Sequence, residues 1–273
     1  MAVHTDGFLS GADLIHRGKE STMRTRYLLI CAFVLSIAGA LANPGSAEID
    51  PESIAGMWLF DGDVKDYSGN GNDGIPSNVE WADGVFGKAL DLGSDWDSYV
   101  EITISPGLDV IGKSDFTLTF WLNPDVIGPV QMVLQQRDNG GTGRTIIILN
   151  DARMSSYLGG TDSFVNNAPL EAGEWYHIAL SVTKDGTLQW YINGEPQESY
   201  EKGLEEAGGN YLIGIHKAQA NVPYDGQIDD FGFFNVVLTQ DEINEVMAVG
   251  LELLTAVEPS DKLTITWASV KNQ

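Results

Sequence analysis

The chain has 273 residues, with 39 acidic side chains against 15 basic ones, a net charge of −24 and a single cysteine. Such an excess of carboxylates argues against nucleic acid and against anionic membrane surfaces as partners, and it is compatible with cation binding and high solubility. A chain of this length can bury a full hydrophobic core without disulfides.

Residues 1–22 fit neither a leader nor a domain, and they read as an extension upstream of the true initiator, Met23. Met23-Arg24-Thr25-Arg26 is a short basic start, Tyr27 to Leu41 is a nearly unbroken apolar run, and Ala40-Leu41-Ala42 places small residues at both positions a signal peptidase reads. A signal peptide over 23–42 is therefore expected, with a second possible cut after Ala47. The apolar run falls short of the roughly 20 residues a membrane span needs, so no membrane insertion is expected once the signal is removed. The mature chain would be secreted, periplasmic or held at the cell surface. Cys31 lies inside the run, where bulky Ile30 precedes it and argues against a lipoprotein cut, and the mature chain is left with no cysteine.

Asp66 to Gly74 reads D-Y-S-G-N-G-N-D-G, with three glycines and five Asp, Ser or Asn side chains in nine residues. No helix or regular strand tolerates that composition, which leaves an elaborate tight turn or a cation cradle. The spacing D-x-S-x-N-G over 66–71 has the look of an EF-hand loop, but the twelfth position is Ser77 and not a bidentate Glu, and no helices flank it.

From Ile54 onward, short period-two runs alternate with Gly, Asp, Asn and Pro. Phe116, Leu118, Phe120 and Leu122 face one side of a strand, with Thr117, Thr119 and Trp121 on the other. Tyr176, Ile178, Leu180 and Val182 repeat the pattern, and a turn at Lys184–Thr187 leads into Leu188, Trp190 and Ile192 on one face. Asn193-Gly194 is a strong hairpin signal, because both residues accept positive φ. Further strands are expected at 57–60, 88–92, 98–104, 130–136, 144–149, 153–158, 210–215 and 226–235. One short helix follows a capping box at Thr239 and Glu242, carries Ile243, Val246 and Met247 on one face, and closes at Gly250. Residues 251–273 read as a tail, a linker or a last strand, the latter because Lys262 to Trp267 alternates. The fold class is all-β, an antiparallel β-sandwich of jelly-roll type with one short C-terminal helix, and the domain spans 55–250.

An ordered set of segments carries a resemblance. These are W-L-F-D-G at 58–62, D-Y-S-G-N-G-N-D-G at 66–74, F-G-K-A-L-D-L at 86–92, Y-V-E-I at 99–102 and F-T-L-T-F-W-L-N-P at 116–124. They continue with W-Y-H-I-A-L at 175–180, L-Q-W-Y-I-N-G at 188–194, Y-L-I-G at 211–214, G-Q-I-D-D-F-G-F-F-N at 226–235 and L-T-Q-D-E-I at 238–243. Over residues 55–247 the chain resembles the LamG-like jelly-roll domains, of laminin G-like 3 type, in the concanavalin A-like lectin/glucanase superfamily. The resemblance implies a structural Ca²⁺ held between an early loop and the final strand. Asp66, Asn70 and Asn72 would supply the early ligands, and Asp229 matches the late one. Such an ion would tie the first strand to the last in a chain without disulfides. The fold itself hosts lectins, adhesion modules, glycosidases and spacers alike.

No catalytic residues are expected. Glu48-Ile49-Asp50-Pro51-Glu52 mimics the E-x-D-x-E cluster of glucanases with this fold, but it precedes the first strand, and Pro51 would interrupt pairing. The middle strands offer Thr117, Thr119 and Trp121 in place of a carboxylate pair. His177 reads as a packed strand residue and His216 as a lone loop histidine. Gly140-Gly-Thr-Gly143 lacks the lysine and helix of a phosphate loop. For sugar binding, Trp96, Tyr99, Tyr157 and Tyr224 are the candidate stacking rings, together with Trp81. Asp95, Asp97, Asn139 and Asn221 could supply hydrogen bonds. The reading is a secreted, non-enzymatic binding or adhesion module for extracellular glycan or protein, the alternatives being a glycoside hydrolase of the same fold or a structural spacer.

Overall fold

Alternating apolar residues dictate the architecture: each strand with one apolar face must bury it, and two antiparallel sheets do so against each other. The structure, a computed structural model, describes residues 49–137, 144–158, 162–164, 169–216 and 222–256. In chain order the strands are β1 (Ile54–Trp58), β2 (Gly74–Ser77), β3 (Glu80–Asp83), β4 (Lys88–Leu92), β5 (Tyr99–Ile102), β6 (Phe116–Pro124), β7 (Gln131–Arg137) and β8 (Arg144–Asn150). They continue with β9 (Arg153–Tyr157), β10 (Asp162–Phe164), β11 (Tyr176–Val182), β12 (Thr187–Ile192), β13 (Glu195–Glu201), β14 (Asn210–Ile213) and β15 (Gly226–Phe234). One sheet runs β13-β12-β11-β6-β15-β4-β3, with β1 also pairing β15, and the other runs β10-β9-β8-β7-β14-β5-β2.

The face of β6 that carries Phe116, Leu118, Phe120 and Leu122 is fully buried between the sheets, as are Ile178, Leu180 and Val182 of β11 and Leu188 and Trp190 of β12. Phe120 stacks on Phe231 at 5.6 Å and 24°, and Phe116 on Phe233 at 5.8 Å and 25°. Each ring buried this way contributes about 1.5–3 kcal/mol. The β12–β13 hairpin turns at Asn193 and Gly194, with φ of 51° and 77°, as the Asn-Gly pair requires. Strands β2, β3, β10 and β13 have no counterpart in the apolar pattern. They are short or polar, and β2 and β13 carry Pro76 and Pro196.

The outer face of the eight-stranded sheet is covered at one end by two helices, α1 (Gln240–Val249) and α2 (Leu251–Ala256). Ile243, Val246 and Leu251 pack there on Ile54, Met57, Ala179 and Phe234 in a second, smaller core. The capping box of α1 is complete, and Gly250, at φ 76°, sends its N–H back to Val246 O. The start of the tail is helical and not a strand. The Leu251 N–H donates to Asp230 Oδ2 at 2.9 Å and the Leu251 side chain is fully buried, which folds the chain back onto the sheet. Lys262 to Trp267 lies outside the described residues, as does everything from 1 to 48.

Strand β15 is shared along its length. Gly226–Ile228 pair with β4, Phe231–Phe234 pair with β1, and β6 flanks the whole strand on the other side. A bulge lies at the break, between Asp229 and Gly232, and Asp230 takes φ 47°.

Candidate functional site

The 66–74 loop is a brace for β1. That strand pairs only with β15, so its other edge presents unpaired backbone groups. Asp66 Oδ1 accepts from Met57 N–H at 3.0 Å and Ser68 N–H at 2.9 Å, and Oδ2 accepts from Asn72 N–H at 2.8 Å. The Asn70 side-chain amide donates to Ile54 O at 2.9 Å, and that of Asn72 to Ala55 O at 2.9 Å. Tyr67 N–H reaches Met57 O at 2.7 Å, and the Trp58 indole N–H reaches Asn72 O at 3.0 Å.

Asp229, expected opposite this loop, is joined to a different one. Its Oδ2 accepts from Val85 N–H at 2.7 Å and Phe86 N–H at 2.9 Å, which closes the turn between β3 and β4. Its Oδ1 is buried without a hydrogen-bond partner. The same turn is held at its far end by Asp61, which accepts from Lys88 N–H. Gly87, at φ 69°, sits so near the Asp61 carboxylate that a side chain would collide with it. Burial pushes the carboxyls of Asp229 and Asp230 up to about 7. The charge of Asp230 adds to the shift at Asp229, those of Asp61 and Glu252 add to it at Asp230, and backbone N–H donors oppose it at both.

Calcium needs six to eight oxygens with lone pairs turned toward it. Asp66 turns its lone pairs to three N–H groups, and Asn70 and Asn72 present their amide nitrogens to carbonyls. Among the described residues, no group of three or more His, Cys, Asp or Glu side chains could hold a metal ion. As arranged here, Asp66, Asn70, Asn72 and Asp229 do not fit one cation.

A cleft of about 280 Å³ opens where several strand ends meet. Gly226, at the start of β15, is in register with Pro124 at the end of β6 and with Leu92 at the end of β4. That register brings together Asp125, Asp225, Asp91 and the β4–β5 loop, with Asn78 and Glu80 completing the lining. Asp125 N–H donates to Asp225 O at 2.9 Å. Gln227 Nε2 donates to Asp91 at 2.8 Å and Asp125 at 3.4 Å, and so fixes both carboxylates. Burial raises the Asp225 carboxyl above the usual range, helped by the charges of Asp125 and Asp91.

The β4–β5 loop supplies Asp95, Trp96, Asp97 and Ser98. Asp97 accepts from Asn78 Nδ2 at 3.2 Å. Ser98, 1% exposed and lining the cleft, accepts from Gly93 N–H at 3.3 Å and donates its own proton to no protein acceptor. Trp96, between Asp95 and Asp97, is 66% exposed, the most exposed of the large apolar side chains among the described residues.

The sequence thus singled out Asp95, Asp97 and Trp96, which share one loop, but not Glu80, Asp91, Asp125, Asp225 or Ser98. Tyr224 lies at the same end, yet its ring is fully buried and cannot stack on a ligand; its hydroxyl donates to Gln227 O at 3.3 Å. Burial raises its phenol well above the usual range, with Asp125, Asp225 and Asp91 adding to the shift. Tyr99 is half-buried at the start of β5, and Tyr157 is exposed on β9, toward the far side of the same seven-stranded sheet. Trp81 packs against the main core. His177 is buried against Trp121, and desolvation drops it to about 3. Asp50 caps the 3-10 turn at Pro51–Ser53 by accepting from Glu52 N–H. Asn139, Asn221, Gly140–Gly143 and the expected signal segment lie outside the described residues.

A laminin G-like family model, described as concanavalin A-like lectin/glucanases superfamily, matches residues 93–244, more than half of the chain. No curated protein matches. Among solved structures, the chain is similar to the binding domain of Paraclostridial Mosquitocidal Protein 1, with 18% identity, a TM-score of 0.62 and coverage of 72% of this chain and 52% of that one. It is also similar to domain 4 of AbnA, a GH43 extracellular arabinanase from Geobacillus stearothermophilus in complex with arabinotriose. There the identity is 17%, the TM-score 0.57, and the coverage 71% of this chain and 98% of that one. A third is the ligand binding domain of Botulinum neurotoxin serotype D in complex with N-acetylneuraminic acid, at 14% identity, a TM-score of 0.59, and 74% and 52% coverage. The chain spans about half the length of the two toxin domains and nearly all of the arabinanase domain. At these identities the likeness shows the fold.

Proposed function

Because the chain belongs to the laminin G-like family of the concanavalin A-like lectin/glucanases superfamily, we propose that it is a non-enzymatic binding module that takes an extracellular glycan or protein at its loop end. The observation that carries this reading is Trp96, a ring two-thirds exposed on the loop that lines the cleft. An exposed tryptophan beside fixed polar groups is costly unless something covers it, and binding sites use that arrangement. Of the similar structures, one is an arabinanase domain solved with arabinotriose and another a ligand binding domain solved with N-acetylneuraminic acid, which supports the reading by analogy of fold. Export through residues 23–42 belongs to the same proposal and rests on the basic, apolar and small-residue pattern there. A glycan array, with capture of extracellular proteins on the immobilised chain, tests it. Retention of a ligand by the native chain and its loss in Trp96→Ala is the expected result, and blank surfaces in both assays would sink the reading.

One observation favours a second reading, glycoside hydrolysis. Burial raises the Asp225 carboxyl, which stands with Asp125 and Asp91 in the same cleft, and glycoside hydrolysis needs a carboxyl that keeps its proton with a second carboxyl nearby. Release of reducing sugar from a polysaccharide panel, abolished in Asp225→Asn, would establish it in place of the first.

A further inference from the structure

The cleft carries more information than its position. Its ionisable lining is Glu80, Asp91, Asp95, Asp125 and Asp225, with no Lys, Arg or His among the lining residues. Ionised carboxylates only accept hydrogen bonds. An acidic ligand would place further negative charge against this wall, and like charges brought together in this way cost several kcal/mol. A purely cationic ligand satisfies the carboxylates but offers nothing to Ser98. Ser98 is 1% exposed and lines the cleft, and its hydroxyl oxygen accepts from Gly93 N–H while its proton has no protein acceptor. It is the one buried donor in a site of acceptors. A ligand that fits must therefore both donate and accept within the same few ångströms, and Trp96, exposed on the loop that supplies the lining residues Asp95 and Ser98 but not itself a lining residue, is the apolar ring available to a ligand that extends beyond the cleft. A sugar does all three: each hydroxyl is donor and acceptor, and the C–H face of the ring stacks on indole.

We infer that the cleft binds one or two residues of a neutral sugar chain, stacked on Trp96, donating hydroxyl protons to the cleft carboxylates and accepting from Ser98, and that it excludes acidic glycans. This deepens the binding-module reading and rests on it. Gln227 is the positioning residue, because its amide holds Asp91 and Asp125 in place before ligand arrives.

Affinity gel electrophoresis of the full chain tests the inference, with neutral polysaccharides (arabinan, galactan, xylan, mannan, β-glucan), acidic ones (polygalacturonate, alginate) and cationic chitosan in the gel, at 20 and 500 mM NaCl. At least one neutral polymer should retard the chain equally at both salt concentrations, and the acidic polymers should not. Trp96→Ala, a change at an exposed position, should weaken retardation at least tenfold with no change in melting temperature, and Ser98→Ala should weaken it as well. Retardation by acidic polymers, or by chitosan at low salt only, would overturn the inference and leave the binding-module reading intact. Neutral binding that survives Trp96→Ala and Asp225→Asn would place the sugar elsewhere and overturn it too. If no polymer retards the chain and it captures no extracellular protein, both readings fall together.

Discussion

At the scale of single residues, this chain uses carboxylates to finish its backbone hydrogen bonding. Asp66 accepts three N–H groups, Asp229 two, and Asp61 and Asp230 one each from Lys88 and Leu251. Hydrogen bonds to a charged acceptor are worth about 1.5–3 kcal/mol each before the cost of orphaned donors. Asp66→Ala should therefore destabilise the chain by about 3 kcal/mol, whereas Asp66→Asn, which keeps acceptor capacity on one oxygen, should lose less. Urea melts of the three proteins check this, and equal midpoints would remove the brace. The same geometry bears on calcium. A cation at Asp66 would have to displace donors already in place, so at constant ionic strength EDTA and added Ca²⁺ are expected to leave the melting temperature unmoved. An ion that bound the folded state at 100 times its Kd would instead add about 2.7 kcal/mol and show as a clear rise.

At the scale of elements, legibility followed periodicity. Strands β6, β11 and β12 could be read because each has one apolar face and one polar one, and the Asn193-Gly194 turn because its residues tolerate the φ it needs. Strand β13 could not, since EPQESYE at the sheet edge carries charge and proline in place of a buried face. Helix α2 was hidden for another reason: LELLTA is helical because Leu251 is drawn into the second core and its N–H is held by Asp230, a tertiary contact 21 residues away. Trimming that side chain in Leu251→Ala should cost about 2–5 kcal/mol, as buried Leu→Ala changes do. A cost under 1 kcal/mol by denaturant melting would mean that α2 is only loosely seated. The cleft was legible only in its β4–β5 loop. Asp91, Asp125 and Asp225 each adjoin a strand end the sequence located, but nothing local says that β15 pairs with both β4 and β6, and that pairing alone gathers them.

At the scale of the whole molecule, two electrostatic terms oppose folding, and they can be separated. A net charge of −24 makes the compact state repel itself. Ordinary carboxyls titrate near pH 4, so that charge barely changes between pH 5 and 8. Asp229 and Asp230 differ, because burial raises both to about 7 in the folded state. A carboxyl whose folded value lies above its unfolded one stabilises fully below about pH 4, and that contribution is lost as pH rises through 7, at about 1.4 kcal/mol per pH unit for each group. His177 works in the other direction. Held neutral down to about 3 by burial, it costs stability as pH falls below about 6.5, again at about 1.4 kcal/mol per unit. Two groups against one leaves a net fall in stability from pH 5 to 7, at about 1.4 kcal/mol per unit up to roughly pH 6.5 and easing toward 7, where the aspartates themselves lose their protons. Added NaCl screens the global repulsion and should raise the melting temperature at every pH, but it cannot relieve desolvation of the two buried aspartates. Asp229→Asn and Asp230→Asn mimic the protonated forms, so each should raise the melting temperature at pH 8 and flatten the pH profile while leaving the salt response intact. A profile equally steep in both variants would assign the pH dependence to the rest of the surface.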